Sequence, residues 1–536
     1  MSTGWWRDAA VYQVYLRSFQ DSNGDGVGDL EGLRRRLPYL ASLGVDVLWL
    51  SPVHPSPNVD FGYDVSDYQG VHPDLGSVEE LVAVIAAARA LGLRVLLDGV
   101  FNHTSDQHPW FQASCMEPEG PYGGFYLWRD GRDGRPPNNW GSTFGGAAWR
   151  FVAARGQWVL HSFAPEQPDL NWRNPAVVDA VLDSMAFWLE RGVCGFRLDV
   201  FNCYLKDEAL RDNPRRRDLK GLAGGAVYPF IGQHHIHDRD HPDLRPVLQR
   251  MRRLADAYDA VLVGETLDET LRYDNAAQWV GPDRLHLAFH FRLLHSRWSA
   301  RAFVAAIAAW TEALGPAGWP TWVLSNHDFP RVATRWGGRE DRARLAAFLV
   351  CTLRGTPFLY QGDELGMRQA RLPRDRIQDP PGRRFWPLYR GRDGARTPMQ
   401  WEAGPAAGFT HGTPWLPVQD DRAVRNVAAM EATPGSLLRF WRTALAARRG
   451  STDLLRGPQV GPDLPSDAVI RYARGRARVM LNLGDRPVRV ALSGADRRPV
   501  LLSTHGSLDR GPDGLRLRTC EGVALGPLPE EMDPTG

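Results

Sequence analysis

The chain has 536 residues, and its 64 Lys+Arg against 62 Asp+Glu leave a formal net charge of +2. Only Lys206 and Lys220 are lysines, the arginines occur in runs no longer than three (34–36, 215–217), and acids cancel bases, so neither nucleic acid nor an anionic membrane surface is an expected partner. At about 100–200 residues per domain the length predicts two to four domains, and 43% apolar with 24% charged residues excludes disorder over the whole chain.

Residues 1–8 lack a basic start followed by an apolar run, and no stretch reaches the roughly 18–20 apolar residues that span a bilayer, so neither a leader nor a membrane anchor is expected. Short apolar runs ending in polar residues then recur along the chain. The first covers residues 11–19, and the second, 45–50, closes on Ser51-Pro52. Residues 93–97 close on Asp98 and reach Asn102-His103; residues 193–196 close on Arg197-Leu198-Asp199. Residues 260–263 lead to Gly264-Glu265-Thr266, and 285–291 follow. Residues 321–324 close on Ser325-Asn326-His327-Asp328, and 357–360 on Gln361-Gly362-Asp363-Glu364.

Helix-like segments separate several of these runs, among them 77–91, 175–190 and 339–352, which is the pattern of parallel β/α architecture. Eight such strands predict a closed (β/α)8 TIM barrel with its chemistry at the C-terminal strand ends, a doubly wound open sheet being the alternative. The stretch between the third and fourth strands is too long for a structureless loop and reads as an inserted subdomain. After a helix-like 436–448, short strands at 468–473, 477–483 and 488–492 predict a C-terminal antiparallel β-domain. The expected boundaries are 1–103 and 169–451 for the barrel, 104–168 for the inserted subdomain B, and 452–536 for the β-domain. Five scattered cysteines without a Cys-x-x-Cys pair argue against disulfides and zinc and make a cytoplasmic location the expectation.

A barrel gathers Asp98, Asp199, Glu265 and Asp328 into one pocket. Paired carboxyl groups with pKa values pushed apart are the working parts of a glycosidase. Arg197 lies two residues before Asp199, hence on the same strand face, where a cation favours an ionised carboxylate; a structural ion pair is the alternative. His103 and His327 at strand ends suit hydrogen bonds to sugar hydroxyls. The run Asp21-Ser22-Asn23-Gly24-Asp25-Gly26-Val27-Gly28-Asp29 places oxygen ligands at alternate positions about glycine turns, like the start of a calcium loop. Gly32 stands where an EF-hand has its Glu, and a bare acidic turn is the other reading.

Together the segments 98–103, 195–199, 264–266 and 325–328 resemble the four ordered motifs of the α-amylase superfamily, glycoside hydrolase family thirteen. Gln167-Pro168-Asp169-Leu170-Asn171-Trp172 resembles the fifth motif of its α-glucosidase and oligo-1,6-glucosidase branch. Residues 11–15, 62–68 and 396–401 match the same branch, and the resemblance runs from about residue 5 to about residue 450, more weakly beyond. It implies an exo-acting, retaining α-glucosidase acting on short α-glucosides, maltose- or isomaltose-type, with or without transglucosylation. Asp199 would be the nucleophile, Glu265 the general acid and then base, and Asp328 the transition-state stabiliser. Asp98, His103, Arg197 and His327 would surround the first sugar ring; Asp64 and Arg396 would hold the terminal 4-hydroxyl. Tyr63, Phe144, Phe163, Gln167 and Val200 would line the pocket.

The resemblance further implies structural Ca2+, with Mg2+ as the alternative, on Asp21, Asn23, Asp25, the Val27 carbonyl and Asp29. Val200 after the nucleophile hints at α-1,6 cleavage, whereas 201–214 resembles maltose-type enzymes, so the linkage stays open. A transferase or isomerase of the same family (trehalose synthase or sucrose isomerase type) shares these residues; a non-catalytic transporter-associated subunit would lose the carboxylates and carry an anchor. A monomer or homodimer acting on a small α-glucoside is expected.

Overall fold

Apolar runs buried on both faces pair side by side into one eight-stranded parallel sheet. The computed structural model describes residues 4–218, 228–268 and 271–528. The sheet strands are β1 (Val11–Val14), β2 (Val47–Leu50), β3 (Arg94–Gly99), β7 (Gly195–Leu198), β8 (Val261–Gly264), β9 (Leu287–Ala288), β10 (Thr321–Val323) and β11 (Thr356–Tyr360). Between β3 and β7 lie β4 (Trp128–Arg129), β5 (Trp149–Val152) and β6 (Gln157–Leu160), a small antiparallel sheet. The large sheet runs β10-β11-β1-β2-β3-β7-β8-β9, and Thr321 Oγ1 donates to the Ala288 carbonyl at 2.8 Å across the remaining seam. All eight predicted runs contribute a barrel strand.

Alternation along each strand divides the core. Leu48, Leu50, Leu97 and Leu262 face outward to the helices, whereas Val47, Trp49, Leu96, Val263, Phe289 and Phe358 fill the barrel. Trp49 stacks on Phe289 at 5.6 Å and Phe289 meets Phe358 edge-on at 4.8 Å, an aromatic layer that floors the catalytic end. Outside, the helix Val78–Ala90 starts with a Ser77/Glu80 capping box, and Pro175–Glu190 starts at Asn174 with Pro at its first position.

Four barrel strands are shorter than the sequence predicts, the first and the sixth by most. The first ends at Val14, because the chain turns into a 3-10 helix at Leu16–Ser18. The sixth shrinks to Leu287–Ala288, where the His286 ring accepts the Leu262 N–H that a ladder carbonyl would otherwise take. Beyond the helix Leu437–Gly450, a five-stranded and a three-stranded antiparallel sheet follow. The three strands expected there form at Val469–Arg474, Ala477–Asn482 and Val488–Ala491. Among the described residues no helix is long and apolar enough to cross a membrane.

Candidate active site

A cavity of about 930 Å³ opens at the C-terminal strand ends. Asp199 follows β7 directly, Glu265 follows β8, and Asp328 stands five residues after β10; all three line the cavity. Gly195, where β7 begins, has φ +146°, and a Cβ there would lie 2.0 Å from the Val261 carbonyl. Only glycine therefore lets β7 and β8 approach closely enough to set Asp199 beside Glu265. Val200 immediately after has φ +35°, unusual for a β-branched residue, and the chain turns there into the 3-10 helix Phe201–Cys203.

Arg197 organises the acids. Its guanidinium is buried over Trp49, 5.3 Å from the ring centroid. Nη1 donates to Asp98 Oδ1 at 2.8 Å and to Asp199 Oδ1 at 2.5 Å, while Nη2 pairs with Glu265. Burial, reinforced by the charges of Asp199, Asp328 and Asp98 and only partly offset by Arg197, pushes Glu265 up to about 8. Burial likewise lifts Asp98 to about 7. Asp328 moves the other way: burial opposes its charge, but His327, Arg392 and Arg396 together outweigh it and hold the carboxyl well below the usual range. Two carboxyl groups that share one pocket are thus driven to opposite protonation states, the arrangement that acid–base chemistry needs.

A hydrogen-bonded chain fixes the ring-contacting side chains. Gln13 Nε2 donates to His327 Nδ1 at 2.7 Å, so the ring proton sits on Nε2, which donates to the Tyr63 hydroxyl at 2.7 Å. Tyr63 in turn donates to Asp98 Oδ2 at 3.1 Å. Burial lowers His327 to about 3, keeping it neutral. His103 Nε2 lies 2.9 Å from the Tyr63 carbonyl and 3.1 Å from Gln167 Nε2.

Tyr63, His103, Phe144, Phe163, Val200 and His327 line the cavity as expected; Asp98, Gln167 and Arg197 are fully buried behind it. The expected pair Asp64 and Arg396 requires correction. Asp64 is fully buried, accepting from Ser56 Oγ at 2.7 Å, the Val59 N–H at 2.9 Å and the Asp60 N–H at 3.0 Å. Arg396 is also fully buried, donating to the His327 carbonyl at 3.0 Å and Asp328 at 3.2 Å. These two build the wall; Asp60 and Arg392, each four residues earlier, form its surface. Arg392 pairs with Asp60 at 2.5 Å and Asp379 at 2.7 Å and reaches Asp328 at 3.3 Å. Sequence reasoning also missed Tyr228, Phe329, Phe385 and Tyr389, which line the cavity. Within 221–243, a stretch with four histidines that none of the motifs covers, residues 221–227 lie outside the described residues, while Tyr228 and Ile231 reach the cavity wall.

The loop 21–29 lines no part of this cavity. Asp21 accepts the N–H groups of Asn23, Gly24 and Gly26, Asp25 accepts that of Val27, and Asp29 caps the helix Leu30–Leu43 through Gly32. Among the described residues no three Asp, Glu, His or Cys side chains are grouped as a metal site.

The alpha amylase catalytic-domain model matches residues 13–457. A probable alpha-glucosidase of Rhizobium meliloti is 44% identical over 464 residues, 84% of each chain. The oligo-1,6-glucosidase of Parageobacillus thermoglucosidasius is 36% identical over 93% of this chain and 92% of its own. A crystal structure of the alpha-glucosyl transfer enzyme XgtA superposes with a TM-score of 0.91 at 40% identity, covering 97% of this chain and 99% of that one. With the family model spanning most of the chain and the carboxylates gathered at the ends of parallel barrel strands, this protein belongs to the alpha-amylase catalytic-domain family, glycoside hydrolase family thirteen.

Proposed function

We propose that the protein is an exo-acting α-glucosidase that removes glucose from the non-reducing end of short α-glucosides by retaining double displacement. The observation that carries this reading is the sharing of Arg197 between Asp199 and Glu265. One guanidinium fork holds both carboxyl groups side by side, which suits the about 5–5.5 Å separation of retaining enzymes better than the about 6.5–9.5 Å of inverting ones. Asp199 attacks the anomeric carbon while Glu265, protonated at neutral pH, gives its proton to the leaving oxygen. Glu265 then takes a proton from water as water displaces Asp199. Asp328, kept anionic by Arg392 and Arg396, stabilises the oxocarbenium-like transition state through the sugar hydroxyls.

The Asp60–Arg392 pair supports exo action, since it presents an acceptor and a donor at the cavity wall to a terminal hydroxyl. Removing a charge-assisted contact costs about 1.5–3 kcal/mol, so Arg392→Met should lower kcat/KM for a disaccharide about 10- to 150-fold. Both Arg392→Met and Arg396→Met should lower the melting temperature, the first because buried Asp60 and Asp379 lose their cation, the second because the buried His327 carbonyl loses its donor. Kinetics of both variants on a glucoside and its 4-deoxy analogue check the assignment: Arg392→Met should lose the preference for the 4-hydroxyl and Arg396→Met should keep it; the reverse pattern would restore Arg396 as the sugar contact.

Incubation with maltose, isomaltose, sucrose and trehalose, with products followed over time, tests the activity. Release of α-glucose is expected, and no glucose from any of the four refutes the hydrolase reading. Transfer products without glucose would favour a dedicated transferase, the activity named for XgtA.

The loop 21–29 fits a hard cation by donor chemistry. Asp21, Asn23, Asp25, Asp29 and the Val27 carbonyl are all oxygen donors; Asn23 Oδ1, both Asp25 oxygens and Asp29 Oδ1 each accept one hydrogen bond and keep a lone pair, whereas both Asp21 oxygens accept two, so Asp21 would exchange one of these for the ion. Ca2+, or Mg2+ in its place, would stabilise the loop and take no part in catalysis. At an ion concentration of about 100 Kd the gain is about 2.7 kcal/mol, so EDTA should lower Tm by a few degrees, with Ca2+ restoring it. An unchanged melt would dismiss the ion. The cysteines among the described residues are all free and buried, which supports a reducing, cytoplasmic location.

A further inference from the structure

Several exposed arginines of this chain meet carboxylates, as Arg34 and Arg35 do at Glu31, Arg245 at Asp283 and Arg456 at Asp8. The stretch 368–390 is different. It holds seven arginines against two aspartates, in a chain whose formal net charge is only +2. All seven are exposed, and among the described residues none belongs to an ion pair. Of the two acids, Asp379 is buried on Arg392 at 2.7 Å, which leaves Asp375 alone at the surface.

Two of these arginines, Arg383 and Arg384, line a surface pocket of about 680 Å³ together with Gln378, Pro380, Val59 and Phe61. No carboxylate lines it. Arg383 is held in place without being neutralised: Nε donates to the Ile377 carbonyl and Nη2 to Gln378 Oε1, both at 2.7 Å. Its Nη1 keeps its N–H groups for a further acceptor, and so does Gln378 Nε2. Arg384 lies over the turn at Gly145 and Gly146, where a Cβ on Gly145 would stand 2.9 Å from the Arg384 Nε. Phe61 offers an apolar face beside them, set against Trp415 with ring centroids 5.3 Å apart. Asn58, also in the lining, has its amide taken by Arg17 and His72. A neighbouring pocket of about 540 Å³ shares Arg383 and adds Arg374 with Asp375.

The backbone beneath is fixed. Asp393 accepts the N–H groups of Gln378 and Asp379 at 2.6 and 2.9 Å, and Asp379 accepts that of Gly382 at 3.1 Å. The pocket is also separate from the catalytic one. Asp60 and Pro381 line the catalytic cavity, whereas their chain neighbours Val59, Phe61 and Pro380 line this pocket. The two share a wall and no lining residue.

A guanidinium is a permanently charged fork of donors that matches the oxygens of a carboxylate or a phosphate. One fork satisfies a carboxylate. Two forks and an amide donor suit the three oxygens of a phosphate group, whose charge near −2 also answers two cations. Donors already held in position lose little freedom on binding. We infer that this pocket binds a phosphate group, either the free ion or the monoester of a small molecule, at a site apart from the catalytic cavity.

The test is isothermal titration calorimetry of the full chain with inorganic phosphate, glucose 6-phosphate and, as control, glucose. Ionic strength is held constant with sodium chloride, so that general screening is the same in every titration. Inorganic phosphate should bind with a Kd of about 1 mM or tighter. Glucose 6-phosphate should bind tighter still if the occupant is an ester whose organic part packs on Phe61, and equally if it is the free ion. Arg383→Gln and Arg384→Gln, changes at exposed side chains, should each weaken phosphate binding at least about tenfold. Both variants should keep the parent circular dichroism and hydrolyse the best sugar within about threefold of its rate. Phosphate binding weaker than about 1 mM, or unchanged in both variants, would overturn the site. A single-stranded oligonucleotide that binds more tightly than either phosphate compound would overturn it in favour of a polymer surface, and a larger loss of hydrolysis in both variants would merge it with the catalytic cavity. Binding is read without substrate, so the result is independent of the glucosidase reading.

Discussion

Asp199→Asn is expected to abolish turnover on every α-glucoside while leaving the fold intact. The substitution keeps side-chain size, and the amide oxygen can still accept from Arg197 Nη1, now 2.5 Å from Asp199 Oδ1. It also leaves Arg197 its contacts with Asp98 and Glu265, so no buried cation is orphaned. What disappears is the group proposed to form the covalent intermediate. Loss of a nucleophile that acts together with its acid–base partner costs on the order of 10⁴- to 10⁶-fold in kcat. Circular dichroism and thermal melts should match the parent within a few degrees. Azide added to the truncated variant Asp199→Gly, with an activated aryl α-glucoside as substrate, should restore turnover and give the β-glucosyl azide, since a small anion entering the face that the shortened side chain vacates inverts the anomeric carbon. Substantial residual hydrolysis, or an α-azide, would remove Asp199 from the nucleophile's role.

How much of this was legible beforehand differs by layer. Buried parallel strands must be apolar on both faces, so runs such as Val47–Leu50 and Val261–Gly264 announce themselves, and the polar residues that end them mark the chemical end of the barrel. The C-terminal strand Gln459–Ser466 gives no such signal: it contains Gly461, Pro462 and Pro465, lies at the sheet edge and alternates between half-buried and exposed residues. The correction from Asp64 to Asp60 and from Arg396 to Arg392 has a common cause. Each motif carries two like residues four apart, and only the turn of the backbone decides which faces the cavity and which is spent on N–H groups and carbonyls behind it. The cavity-lining aromatics Tyr228, Phe329, Phe385 and Tyr389 were illegible because they come from irregular connections with no period, brought together by tertiary packing alone.

Glu265→Gln is expected to remove the alkaline limb of the pH profile. A general acid must carry its proton, and burial, helped by the charges of Asp199, Asp328 and Asp98 against the pull of Arg197, pushes Glu265 up to about 8. The protonated fraction therefore stays above one half until about pH 8, and kcat/KM should fall tenfold per unit beyond it, since that parameter reports the free enzyme. In the Gln variant this limb should vanish, and kcat/KM for maltose-type substrates should drop about 10²- to 10⁴-fold at neutral pH. A dinitrophenyl α-glucoside, whose leaving group needs no proton, should lose far less in the glycosylation step, so the intermediate accumulates and a burst of phenolate appears. Asp98→Asn supplies a graded version. Asp98 is itself lifted to about 7, and its charge helps to raise Glu265; removing that charge should move the alkaline limb to lower pH without abolishing it. An alkaline limb that survives unchanged in Glu265→Gln would mean that another group loses the decisive proton, and the field that Arg197 and the four carboxyl groups set up would then have to be read around a different acid.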